Sequence, residues 1–431
     1  MSASDVTVSH EEERTIPEPP SIEGIIRTDS VTKQLYSTDA SIYEVRPECV
    51  FFPFNREDVR AIHRWCDHHE RTIIPRGGGT SLSGQSIGKG AIVDYSRHLD
   101  EILEWDENEE IVRVEPGVVL ENLNEFLSDY GYCFGPDVAT ANRATIGGMI
   151  GNNSAGAHSI RYGPTADHVR SLTCVLANGE EITVELVTRE EARRRAERDT
   201  REGQLYDRVP ELVQSHAQRI REEFPDLMRN VSGYAVDRFL ESLEEDVVDL
   251  TQLICGSEGS LGAVVEAELE VVPAVEETAL VVLECNSLQE AVRANHEAIQ
   301  ADPLAVELLD DMVLTLAEES REFSRHMDWI QGDPEAVIIV EVGRKTGEEQ
   351  SLQSRVHDVE DRLRSSDFTG TVQGVLDETL QDHIWKIRKS GLPLLLGISG
   401  DRKPTTFVED TAVDPDRLAD GTAVRVATGA P

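Results

Sequence analysis

Arg76 to Gly84 reads RGGGTSLSG and follows an apolar, strand-like run, Arg71 to Pro75 (RTIIP). Three consecutive glycines let the backbone take positive φ and approach a ligand closely. Thr80, Ser81 and Ser83 add hydroxyls, and the series of main-chain N–H donors can form an anion-binding concavity suited to a diphosphate. A glycine-rich surface turn satisfies the same string. Two familiar nucleotide motifs are excluded. No G-x-x-x-x-G-K-[ST] can be drawn through the stretch, and Leu82 stands where a dinucleotide fingerprint needs its third glycine.

Two further glycine-dense regions follow. Gly135 to Gly163, GPDVATANRATIGGMIGNNSAGAHSIRYG, has few large apolar residues. A segment of that length and composition inside a compact domain is usually functional, and its small side chains could line a slot for a flat or extended ligand. The third, Leu253 to Pro273, carries GSEGSLG into a strand-like run.

The bulk composition is acidic: 82 Asp and Glu against 41 Lys and Arg, a net charge of -41, with only six lysines. These charges lie in sequence with clear apolar periodicity, which argues against disorder. Self-repulsion of this size is tolerable where salt screens it, since the Debye length is about 3 Å at 1 M. The expectation is a salt-rich cytoplasm. No basic stripe exists to displace counterions from phosphates, which argues against nucleic acid. The six cysteines are scattered, without iron–sulfur or zinc spacing, and no metal site is expected. The polar, acidic opening residues do not read as a signal peptide, and no apolar run reaches the ~20 residues of a membrane span.

In order, residues 1 to 44 read as an N-terminal arm and helix. CVFFPF, the helical Arg56 to His69 and RTIIP form a strand–helix–strand unit, with GAIVDYS and IVRVEPG as later strands and Trp105 to Glu110 as an acidic loop. Val118 to Gly131 is amphipathic, and Asn178-Gly179 marks a hairpin. Residues 189 to 250 read as a helical insertion whose arginines are interleaved with glutamates, a solvated helix face. From residue 277, strands alternate with helices, including one over Met312 to Arg325 and one over Glu348 to Leu363. That alternation suggests an α+β sandwich of the ferredoxin-like kind. Its closing elements are missing from GTAVRVATGAP, which suggests an incomplete second domain.

The ordered glycine regions resemble the FAD-binding domain of the vanillyl-alcohol oxidase and para-cresol methylhydroxylase (PCMH-type) superfamily over roughly residues 45 to 276. From 277 the chain resembles that family's FAD-linked oxidase C-terminal domain, closest to the group that includes D-lactate, glycolate and D-2-hydroxyglutarate dehydrogenases. The resemblance implies an α+β fold: an FAD domain of two subdomains, then a partial ferredoxin-like domain over 277 to 431.

It implies that Arg76, Gly77, Gly78, Gly79, Thr80, Ser81 and Gly84 form the diphosphate loop. Pro136, Thr145, Gly148, Asn152 and Ser154 would surround the ribityl chain and isoalloxazine, with Glu258, Gly259 and Val264 near the adenine. The first loop has no histidine, so non-covalent FAD is expected. The implied chemistry is oxidation of a small 2-hydroxy acid, with Arg388 holding the carboxylate, Lys403 contacting substrate and His158 near the flavin. Each of these has a plainer reading, a surface charge for Arg388 and Lys403 and a hydrogen-bonded loop residue for His158. The expected electron acceptor is a quinone, cytochrome or iron–sulfur protein, reached from the cytoplasm or the membrane surface. No histidine follows Arg388, where relatives carry several, so a flavin-binding fragment or subunit without turnover stands as a second reading. A weaker third is a reductase of the same flavin fold in cell-wall precursor synthesis, which would need an NADPH site and a different second domain.

Overall fold

Cys49–Phe52 is apolar throughout and buried throughout, the pattern of a strand covered on both faces. In the computed structural model, which describes residues 16–227, 230–344, 350–398 and 400, it belongs to a four-stranded sheet ordered Ile25–Arg27, Cys49–Phe52, Ala91–Asp94, Ile73–Arg76. Cys49–Phe52 and Ile73–Arg76 both run parallel to Ala91–Asp94. The crossover helix Arg56–His68 starts at an Asn55 cap, has Glu57 and Asp58 in its first turn, and buries Val59, Ile62, Trp65 and Cys66. Asp58 is buried too; its carboxylate accepts the N–H groups of Glu23, Gly24 and Phe54, tying the entering chain to the sheet.

A six-stranded antiparallel sheet forms the second layer, ordered Val247–Asp249, Glu181–Thr188, Val169–Val175, Ala263–Glu270, Ile111–Val114, Ile102–Asp106. The Asn178-Gly179 hairpin is present, with Gly179 at φ 79. The stretch expected as an acidic loop from Trp105 begins inside a strand. Ile102–Asp106 pairs with Ile111–Val114, and Trp105 packs on the Tyr132 ring at 5.3 Å, so only the turn after it is loop. The described residues between 189 and 250 include the helices Arg189–Ala196, Arg201–Ser215, Ala217–Glu223 and Val236–Glu244. They are not a separate cover: Tyr206, Val213, Phe239 and Leu243 share one core with the sheet, and Val247–Asp249 joins its edge.

The C-terminal sheet is ordered Ala305–Asp310, Ala336–Arg344, Glu277–Cys285, Thr371–Val375, all antiparallel, the order of a ferredoxin-like sandwich. Leu288–Ile299 and Leu352–Arg364 bury Ala291, Ala294, Val356 and Leu363 on one face. The other face takes Asp311–Glu319 and Glu378–Lys389, which bury Leu314, Ala317, Ile384 and Ile387 around Trp329. The helix expected over Met312 to Arg325 stops at Glu319, where Ser320 turns extended at ψ 127. The helix expected from Glu348 is described from Leu352, capped by Ser351. Residues 401–431, with Lys403 and the tail expected to be incomplete, lie outside the described residues.

No two of the six cysteines are joined in a disulfide, and burial pushes the thiols of Cys49 and Cys174 up to about 12, so those two are inert at neutral pH. Among the described residues no helix is long and apolar enough to cross a membrane, and no group of three or more His, Cys, Asp or Glu could hold a metal ion.

Candidate cofactor cleft

The three glycine regions converge. A Cβ on Gly77 would lie 2.1 Å from Thr145 Oγ1, and one on Gly78 would lie 2.1 Å from the Arg143 carbonyl, so the first and second regions touch along their backbones. The third closes on both. Gly256 and Glu258 donate to the Ile150 and Gly151 carbonyls at 2.9 and 2.8 Å, and a Cβ on Gly259 would meet Pro75 at 2.8 Å. Gly79 and Gly259 take positive φ, 64 and 75, at no steric cost, while the non-glycine Glu258 does so at φ 52, strain of the kind that clusters at ligand sites.

Between them lies an open cleft lined by residues of all three regions. The lining includes Arg76 to Ser81, Thr145, Gly148, Asn152, Ser154, Glu258, Gly259 and Val264. The N–H groups of Gly77, Gly78, Gly79, Thr80 and Ser81 donate to no protein acceptor among the described residues, leaving five donors for an anion. Thr145 caps the Ile146–Asn152 helix, accepting from Gly148 N at 3.3 Å, which turns the flat Gly147-Gly148 face toward the cleft. A diphosphate and a planar ring system fit these residues.

Two of the residues expected to hold FAD stand outside the lining, as do His158 and Arg388. Pro136 is buried, and its neighbours Val138 and Thr140 reach the cleft instead. Gly84, at φ 85, supports the loop from behind, where a Cβ would meet the Tyr43 ring at 3.0 Å. Arg76 lines the cleft, but its guanidinium is turned back: it donates to the Ser86 and Thr38 carbonyls and lies 5.0 Å over the Tyr36 ring. Its charge braces the loop.

His158 and Arg388 lie on the C-terminal side. Arg388 Nε donates to Glu307 at 2.6 Å, and its two Nη groups have no protein acceptor among the described residues. His158 is held by Asp137 at 3.0 Å and Glu341 at 2.5 Å. Burial alone would lower its pKa; the hydrogen bonds to the two carboxylates outweigh that and raise it to about 10. With both ring nitrogens engaged it is not free to act as a base. Glu307 and Glu341 were missed from sequence. The available signal was a single acidic residue inside each of two apolar strands, AVELLD and AVIIVEVGR.

Residues 47–185 match the FAD binding domain family, and residues 274–425 match the FAD linked oxidases, C-terminal domain. The chain thus carries an FAD binding domain match followed by an FAD-linked oxidase C-terminal domain match. FAD is the cofactor of that binding domain, and the first two glycine regions of the cleft fall within the matched residues while the third, from Ile254 to Val264, lies beyond them. The chain is 36% identical over 394 residues to D-2-hydroxyglutarate dehydrogenase of Pantoea ananatis, covering 89% of this chain and 38% of that protein. It is 34% identical over 407 residues to the Escherichia coli protein of that name, covering 92% and 40%. Glycolate oxidase subunit GlcD of Bacillus subtilis is 27% identical over 89% of this chain and 69% of its own length. The chain thus spans about two-fifths of the length of the D-2-hydroxyglutarate dehydrogenases it matches. A solved alkyldihydroxyacetonephosphate synthase superposes with a TM-score of 0.59 at 17% identity, over 86% of this chain and 61% of its own, a likeness of fold.

Proposed function

We propose that this chain is an FAD-dependent D-2-hydroxy-acid dehydrogenase, taking D-2-hydroxyglutarate, D-lactate or glycolate to the 2-oxo acid. The observation that carries this reading is identity of 33% to 36% with D-2-hydroxyglutarate dehydrogenases over both domains. When bound, FAD supplies the two-electron acceptor chemistry. The N–H groups of Gly77 to Ser81 hold the diphosphate, and Thr145, Gly148, Asn152 and Ser154 hold the ribityl chain and ring, with Val264 toward the adenine. In this reading the FAD is held non-covalently, the first loop carrying no histidine.

On the substrate side, Glu307 takes the Arg388 Nε–H and so fixes the plane of the guanidinium. The two Nη groups then offer a parallel pair of donors to a carboxylate. Lys403 contacts the same substrate in this reading. Electrons pass on to a quinone, a cytochrome or an iron–sulfur protein. The acidic surface suits a salt-rich cytoplasm, with contact at a membrane surface where the acceptor is a quinone.

The second reading is a flavin-binding protein without its own turnover. Anaerobic mixing of the FAD-loaded chain with D-2-hydroxyglutarate and D-lactate separates the two. Bleaching of the flavin band is the expected result. An unchanged spectrum with FAD bound supports the second reading, and a chain purified in high salt that takes up no FAD sinks both.

A further inference from the structure

His158 joins the two domains. Its backbone N–H donates to Asp137 Oδ1 at 3.0 Å, and its Nδ1 lies 3.0 Å from Asp137 Oδ2. Asp137 precedes Val138 and Thr140, which line the cleft. Gly156 permits the close approach, since a Cβ there would stand 1.8 Å from the Asp137 carbonyl oxygen. Across the seam, Nε2 lies 2.5 Å from Glu341 Oε2. Glu341, on Ala336–Arg344, is 5% exposed, and among the described residues its carboxylate has no other partner.

On that sheet Glu341 pairs with Ala305 and Ile339 with Glu307. Residues two apart on a strand share a face, so Glu341 and Glu307 project from the same side, where Glu307 holds Arg388. Trp385, one helical turn before Arg388, lies 6.1 Å ring to ring from His158.

We propose that His158 is a positioning residue. It fixes the FAD-binding domain to the C-terminal sheet and, through Glu341 and the Glu307–Arg388 pair, sets where Arg388 stands relative to the cofactor cleft. The second half rests on the reading of Arg388 as the carboxylate-binding group. Only an imidazolium can donate from both nitrogens to two carboxylates at once. Without it Glu341 is a buried carboxylate lacking a counter-charge, which must take up a proton or draw water into the seam. The other ion pair at this seam, Arg161 to Asp302 at 2.7 Å, has an Asp302 side chain 74% exposed and adds little.

The test uses the full FAD-loaded chain and three variants, His158→Gln, Glu341→Gln and the two together. Calorimetry is expected to show one transition for the wild type and a separate, earlier one for His158→Gln, lower by roughly 5–10 °C. FAD affinity stays within about twofold. Glu341→Gln, which strands no charge, gives a smaller split. The double variant, with two neutral amides facing each other, returns toward a single transition. With a hydroxy acid that bleaches the flavin, His158→Gln raises KM about tenfold while kcat falls less.

A single transition at the wild-type temperature in His158→Gln overturns the proposal, as does a double variant no better than His158→Gln alone. Loss of FAD affinity in parallel with the split also overturns it, because the role would then lie in the cleft. If no hydroxy acid bleaches the wild type, the functional reading falls, while calorimetry and FAD titration still decide the clamp.

Discussion

Gly77 and Thr145 are packed so closely that a Cβ on Gly77 would stand 2.1 Å from the threonine Oγ1. That hydroxyl is itself committed, accepting from Gly148 N at the start of the Ile146–Asn152 helix. The loop cannot take a side chain here without displacing the cap of the helix that lines the cleft opposite. Gly77→Ala is therefore expected to strain the site by about 1–3 kcal/mol. FAD affinity should weaken roughly 5- to 150-fold, read by quenching of flavin fluorescence. An alanine variant that binds FAD as the wild type does would show the contact to be soft.

Asp58 lies beneath the first sheet, with three backbone N–H groups bonded to one buried carboxylate. Asp58→Ala leaves Glu23, Gly24 and Phe54 without that acceptor, at a cost of roughly 3 kcal/mol. Denaturant titration should show the loss in midpoint without a change in slope.

The His158 clamp carries a pH dependence of definite sign. Its pKa rises from 6.5 unfolded to about 10 folded, so its contribution is complete below about pH 6.5 and is lost as pH rises through about 10. The groups facing it are Asp137 and Glu341, with Tyr162 beside them kept neutral by burial, which raises its pKa. Arg161 and Arg388 at the seam are taken up by Asp302 and Glu307. Stability of the domain contact should fall across that window, and His158→Gln should remove most of the slope.

A net charge of -41 predicts strong salt dependence. The thermal midpoint should rise steadily as KCl goes from about 0.1 to about 1 M, while the screening length falls from about 10 Å to about 3 Å. A flat curve would mean that the many arginine–carboxylate pairs already neutralise the repulsion.

Arg388→Lys keeps the charge but loses the planar pair of Nη donors. It should leave FAD bound and raise KM for a hydroxy acid at least tenfold, measured by stopped-flow flavin bleaching.

By itself the sequence determined most of the strands and helices and the three glycine regions. These follow from local chemistry: apolar period, turn residues, and glycine where the backbone must turn or be approached. Ile102–Asp106 escaped because its acidic residues look like loop until Trp105 finds its aromatic partner, and Val247–Asp249 because a three-residue edge strand carries almost no pattern. Convergence of the glycine regions was implied only by resemblance, and the tertiary structure decided how they meet: Thr145 against Gly77, Gly259 against Pro75, and Arg76 turned away from the cleft. His158 shows the same division. In sequence it is one histidine in a small-residue loop; its two carboxylates come from residues 137 and 341. Long-range pairing of that kind is set by the packing of one domain on another, and no local pattern encodes it.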